Sequence, residues 1–436
     1  MLFGDLIRAV KTAPRRLGLE AIFVVVGMAV SVVGQAAILK LITTCLTRTS
    51  YGLYALGNSA LGLVQSVAFG SLFVAMGRLA PDFARSGTVS RLVQHVAALS
   101  RRPSYVIVLV TLLVAAGFFI TGHANVISLT IAFLILLFSA NRSLRTTSLE
   151  QATRLRGTLV LHSSTELVAR ATLAALFLHF VPRPDAVVLA LALACFGTNM
   201  LFQRRVLKRL AIGVTDPPPV DVIGERRRLV QYWYPVAVAT TLAWLYTNAD
   251  RWVIEHFESV DATALYAGAA QLAALPFTML AGLITNFASP ILYARASLDP
   301  VGTRRVVYVT VVLYALPATI GWFLISMLSR SLVRLFLGAN LWDCAPLVPV
   351  IAAGWALIQL SGLLHVGILA SGRATRLILP NVATAAAALL ATVSLVRIYG
   401  SVGAGLALII TGVVRLILMA LTFVLVKPTT AITTSP

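Results

Sequence analysis

Apolar runs of about twenty residues recur along this chain, separated by short turns rich in basic or small residues, and that recurrence leaves it few ways to fold. A helix rises about 1.5 Å per residue, so about twenty apolar residues span the roughly 30 Å hydrocarbon core of a bilayer. In that medium only helices and closed barrels satisfy their own backbone hydrogen bonds. Runs can be placed at roughly 19 to 44, 52 to 76, 104 to 121, 125 to 146, 158 to 180, 186 to 203, 232 to 254, 263 to 293, 306 to 328, 346 to 370, 377 to 396 and 402 to 426. The pattern predicts an all-α polytopic membrane protein with about twelve transmembrane helices, six in each half. Composition agrees: 59% of the 436 residues are hydrophobic, 11% are charged and the mean hydropathy is +0.91, far too apolar for a soluble chain of this size. Residues 1 to 18 read as a basic amphipathic lead rather than a signal peptide.

The two halves echo each other. Sliding the first along the second by 212 positions sets Leu53-Tyr54-Ala55 on Leu265-Tyr266-Ala267, Leu63 on Leu275 and Gly70 on Gly282. Weak identities over a repeated hydropathy pattern are how transporter repeats look in sequence. The division expected is a first lobe at 1 to 205, a linker at 206 to 231 and a second lobe at 232 to 436. The linker carries Asp216-Pro217-Pro218-Pro219 between basic clusters, a semi-rigid element suited to lie near anionic headgroups.

The formal net charge of +20 does not point to nucleic acid, because the basic residues sit in short loops between apolar spans. Placing the N-terminus inside puts about 26 of the 35 basic residues in the cytoplasm, and the outer loops then hold Arg48, Arg183, Arg330, Arg334 and Arg397. Both termini and the linker are therefore expected inside. Cys45, Cys195 and Cys344 lack metal-ligand or disulfide-framework spacing and read as small membrane hydrophobes, and no metal site is expected. Neither HExxH, GxSxG nor a Walker glycine loop is present, so no catalytic residues are assigned and no covalent chemistry is expected.

Charge inside the spans is what remains. Arg170 and Arg415 fall near mid-depth, too far from an interface to reach water along the span, and are candidate contacts for an anionic cargo. Glu166 lies one helical turn before Arg170, so the pair reads either as an ion-coupling site or as simple neutralisation. Lys40, Asp250 and Arg251 fall toward the outer ends of their spans. Lys40 can snorkel to headgroups or face a cavity, and Asp250 can pair with Arg251 or bind a proton or sodium ion. Asn58 and Gln65 on the second span, and Gln271 and Asn286 on the eighth, make polar rows that suit cavity lining or helix packing.

Several local patterns resemble the polysaccharide transporter branch of the MOP superfamily, the Wzx-type lipid-linked oligosaccharide flippases. They are Tyr51-Gly52-Leu53-Tyr54-Ala55, Asp250-Arg251-Trp252 followed by Tyr266-Ala267, and Pro290. Gly338 before Ala345-Pro346, Ser371-Gly372-Arg373, Asn381, and Tyr399-Gly400-Ser401-Val402-Gly403-Ala404-Gly405 continue the pattern in the last third. The resemblance implies two six-helix lobes in a MATE-like V, a central cationic cavity and alternating access. The implied cargo is an undecaprenyl-pyrophosphate-linked oligosaccharide, an O-antigen or exopolysaccharide repeat unit, moved from the cytoplasmic to the periplasmic leaflet of a bacterial inner membrane. A monomer is implied, with no cofactor, coupling to protons or sodium, and a polysaccharide polymerase and chain-length regulator as partners. Alternatives are a MATE-like multidrug or cation exporter, a peptidoglycan lipid flippase, and a membrane-embedded polymerase or ligase. Arginine outweighing acid inside the spans disfavours a cation exporter. The short outer loops disfavour an enzyme, and the absence of further spans after Val426 disfavours a peptidoglycan flippase.

Overall fold

A computed structural model describes residues 15–120, 124–153, 155–211, 222–295, 300–371 and 374–425. The first half contains α1 (Arg15–Cys45), α2 (Arg48–Gln65), a π turn (Ser66–Gly70), α3 (Ser71–Arg85), α4 (Val89–Ile120), α5 (Ala124–Ala152), α6 (Arg156–Phe180) and α7 (Pro184–Ala211). The second contains α8 (Val222–Asn248), α9 (Asp250–Phe257), α10 (Val260–Arg295), α11 (Pro300–Phe336), α12 (Leu347–Ala370) and α13 (Ile378–Leu425), with 3-10 turns at Ala339–Cys344 and Ala374–Leu377. The helices run back and forth between two ends, here called the Cys45 end and the Arg85 end.

Among the described residues, nine helical segments are long and apolar enough to cross a membrane. One of them, Thr375–Leu425, runs for 51 residues and breaks at Gly400 (φ 57, ψ −141), a backbone conformation that favours glycine. The chain then folds back, so that Leu377 and Phe423 share one buried cluster and this segment crosses twice. Two further crossings, α6 and α8 with α9, carry the polar residues that keep them below the hydropathy of the others. Among the described residues the bundle thus has twelve crossings, six on each side of the linker. Large apolar side chains such as Phe119, Ile120, Leu316 and Leu390 lie exposed on its outside, where lipid covers them.

The helices outrun their apolar cores at the linker. α7 continues to Ala211, with Lys208 and Arg209 in its last turn, and α8 begins at Val222 with Glu225 in its first. Those charges complement the helix dipole at both termini, so much of the stretch assigned to the linker is helical. Asp216 to Pro219 fall outside the described residues, as do residues 1–14 and 426–436.

Lipid offers no hydrophobic drive for helices to associate, so close packing and side-chain hydrogen bonds must join the lobes. The second crossing and the seventh are laced along their length. Trp233 Nε1 donates to Ser71 Oγ (2.9 Å), Thr240 Oγ1 to the Ser66 carbonyl (3.3 Å), and Trp244 Nε1 to the Ser59 carbonyl (2.9 Å). Trp252 Nε1 completes the row with Ser59 Oγ (3.2 Å). At the Cys45 end α2 and α10 start side by side: Thr49 Oγ1 donates to Asp261 Oδ1 at 2.7 Å, and these residues are 212 positions apart, the offset of the internal echo. One apolar core joins both lobes toward this end, through Leu39, Tyr51, Val187, Tyr266, Leu337 and Val348. Toward the Arg85 end it gives way to separate clusters, one around Leu72, Met76 and Leu92 and one around Leu292, Val307 and Met419.

Candidate functional site

His162, Glu166 and Arg170 lie four residues apart on α6 and so share one face, rising from the Arg85 end toward mid-depth. Glu166 Oε1 pairs with Arg170 Nη2 at 2.5 Å, and Ser143 Oγ of α5 donates a short hydrogen bond to the other oxygen. Cys195 of α7 fills the gap: Arg170 Nη2 donates to its sulfur at 3.0 Å, and the thiol lies 3.6 Å from Glu166 Oε1. Below them, His162 Nε2 is 3.9 Å from Glu166 Oε2, and its Nδ1 is 3.1 Å from Glu150 Oε2. The imidazole stacks on Phe202, ring centroids 4.6 Å apart. His162 and Glu150 are fully buried, whereas the Arg170 side chain is 34% exposed and its Nε has no partner.

Two carboxylates thus face one guanidinium, with an imidazole between them. A buried charge in lipid must be paired or neutralised, and Glu166 and Arg170 do this for each other. Arg170 is therefore held by Glu166 rather than free, and the choice that the sequence leaves open between ion-coupling site and neutral pair becomes a question of what competes for Glu166. His162 continues the same four-residue spacing and is legible in hindsight. Glu150 gives no such signal, because it joins from another helix.

Arg415 belongs to a second site, within the other lobe. It is 7% exposed, donates from Nη1 to the Ile358 carbonyl (2.9 Å) and places its guanidinium 5.0 Å from the Tyr246 ring centroid. It lines a cavity of about 190 Å³ together with Tyr246, His365 and Asn381. Among the described residues Arg170 and Arg415 share no partner, one set against Glu166 and Cys195 and the other against Ile358 and Tyr246.

The other candidates have more local partners. Lys40 Nζ donates to the carbonyls of Arg334 (2.9 Å) and Leu337 (2.6 Å), closing the carbonyl end of α11. Asp250 accepts from the Tyr266 hydroxyl (2.5 Å) and from the Arg251 amide (2.8 Å) at the start of α9, while Arg251 Nε is buried without a partner. Gln65 Nε2 reaches Asn141 Oδ1 at 3.5 Å, and Asn286 Oδ1 accepts from Gln151 across the lobes at 3.1 Å. Asn58 and Gln271 are exposed. Among the described residues, no group of three or more His, Cys, Asp or Glu could hold a metal ion.

No protein-family model matches this chain, and no curated relative does. Solved structures do. The MATE multidrug transporter DinF-BH aligns with a TM-score of 0.72 at 14% identity, covering 96% of this chain and 97% of that one. The lipid II flippase MurJ, in an inward closed conformation, aligns at 0.65 and 11% identity over 92% of this chain and 87% of its own. An inward-facing multidrug resistance MATE family transporter of the MOP superfamily aligns at 0.64 and 13% over 93% and 96%. What they share with this chain is the fold, two lobes of membrane helices set as a V.

Proposed function

We propose that this chain is an alternating-access flippase for a lipid-linked oligosaccharide carried on undecaprenyl pyrophosphate, with Arg170 as the contact for the anionic headgroup. The observation that carries the reading is Arg170 itself: mid-span, partly exposed, with one guanidinium edge on Glu166 and Nε unpartnered. A guanidinium can hold two phosphate oxygens at once, which lowers the cost of bringing a pyrophosphate into a low-dielectric cleft while the prenyl tail stays in lipid. Glu166 and the cargo then compete for one cation. A proton delivered to Glu166 releases Arg170 to the cargo, which is where proton coupling enters the cycle. The exposed amides of Asn58 and Gln271 are suited to sugar hydroxyls.

The charge rule puts the Arg85 end in the cytoplasm, so the apolar core shared by both lobes lies at their periplasmic end, while on the cytoplasmic side the clusters divide and the lobes keep polar contacts such as Trp233–Ser71 and Gln151–Asn286. A polysaccharide polymerase and its chain-length regulator would consume the delivered unit, and the transporter acts as a monomer. The two buried carboxylates of the first lobe favour a second reading, an exporter of organic cations that bind at Glu166 in place of Arg170.

One assay separates the two. The purified protein in liposomes is expected to expose a fluorescent undecaprenyl-pyrophosphate glycan to the opposite leaflet without altering its mass. Uptake of a lipophilic cation dye with no glycolipid movement would establish the exporter reading, and cleavage or elongation of the glycan would refute both.

A further inference from the structure

The cavity around Arg415 contains more unmet polar chemistry than packing requires. Arg415 Nε, His365 Nδ1 and Asn381 Oδ1 are all buried, all without a hydrogen-bond partner, and all belong to residues lining it. Arg415 is 7% exposed and Asn381 1%. Among the described residues no carboxylate pairs with Arg415, which meets the Ile358 carbonyl and the ring and hydroxyl of Tyr246. A fixed positive charge at this depth without a counter-charge is expensive, and three orphaned atoms around one space multiply that cost.

We infer that this cavity is a binding site for a small monovalent anion, distinct from the cargo site at Arg170. The inference does not rest on the flippase reading. The anion accepts from Arg415 Nε and from His365 Nδ1–H. Asn381 sets the other half of the chemistry: its Nδ2 already donates to the Leu377 carbonyl at 2.7 Å, which leaves its buried oxygen an acceptor that calls for a donor. Chloride accompanied by a water supplies both halves, and so does a protonated oxyanion such as dihydrogen phosphate. The 190 Å³ volume fits a free ion, and the prenyl diphosphate arm of the test separates this from the cargo headgroup. A cavity of about 150 Å³ holds one benzene ring, so the 190 Å³ here is ample for a phosphate-sized ion.

The test is the thermal stability of the purified protein in nanodiscs, in sodium gluconate and with chloride or phosphate added at constant ionic strength. The expected result is a saturable rise in Tm of several degrees with the small anions, absent in Arg415→Met. Asn381→Asp builds a carboxylate into the cavity and is expected to be stable in gluconate and indifferent to chloride, which keeps the inference testable if the Arg415 variant does not fold. An equal anion response in wild type and Asn381→Asp, or no response in wild type, overturns it. Stabilisation by a short-chain prenyl diphosphate alone would assign the cavity to the cargo headgroup and overturn it as well, leaving the glycolipid assay unaffected.

Discussion

Arg170→Ala is expected to lower glycan export by about ten- to a hundredfold, and the double variant Arg170→Ala with Glu166→Ala is expected not to recover it. The magnitude follows from losing charge-assisted hydrogen bonds to the cargo, each contributing about 1.5–3 kcal/mol, with about 1.4 kcal/mol per factor of ten. Abundance should behave differently. Removing Arg170 alone leaves Glu166 and Glu150 on either side of His162 without their guanidinium, an uncompensated charge where removing one partner of a buried pair costs roughly 3–5 kcal/mol. The 34% exposure of Arg170 and the retained Ser143 hydrogen bond moderate this, so reduced rather than absent protein is expected, and the double variant should restore it. Glu166→Ala alone should bind the diphosphate more tightly, because the competing carboxylate is gone. Quantifying membrane protein and exported glycan in all three variants decides the matter. Recovery of export along with abundance in the double variant would show that Arg170 exists only to neutralise Glu166.

Most of the fold was legible because a bilayer imposes a length on apolar helices. The crossings hardest to read were those that bear the polar chemistry: α6 and α8 fall below the hydropathy of their neighbours for the same reason that they matter. The helix ends at the linker were not legible, since polar residues continue a helix as readily as they end it once terminal charges complement the dipole. Within the site, the Glu166–Arg170 pair follows from spacing on one helix. Glu150 meeting His162, Lys40 closing the end of a helix 294 residues away, and the assignment of Arg415 to its own cavity all depend on which helices become neighbours. Spacing along one helix says nothing about that. Asp250 shows the same limit: its intramembrane carboxylate reads equally well as an ion site, yet here its oxygens meet Tyr266 and a backbone amide.

Gly338→Val is expected to force the lobes apart at the Cys45 end. Gly338 has φ −67 and ψ 157, ordinary extended backbone, so its requirement is space rather than conformation. A Cβ there would overlap the Thr43 carbonyl of the other lobe, and one at Gly52 would overlap the Val260 carbonyl across the same boundary. Backbone atoms cannot rotate aside as a side chain would. The contacts that surround this approach all cross between lobes: the Gly338 amide donates to Thr43 Oγ1 (2.9 Å), Asn340 Nδ2 to the Leu46 carbonyl (2.7 Å), and Arg48 pairs with Asp343 (2.7 Å). Overpacking costs roughly 1–3 kcal/mol, and here it burdens only the arrangement in which the lobes touch. A conformational equilibrium should therefore shift toward opening at this end by about ten- to a hundredfold, at about 1.4 kcal/mol per factor of ten. Cys344 reports the shift directly, being fully buried at this boundary whereas Cys45 is exposed. In a Cys45→Ser background, Gly338→Val and Gly52→Val should each make Cys344 accessible to a membrane-impermeant maleimide in intact cells. Gly412→Val, which crowds Leu357 inside one lobe, should not. If Cys344 stays protected while protein abundance falls in all three variants, the two glycines serve packing alone and the lobes do not part at this end.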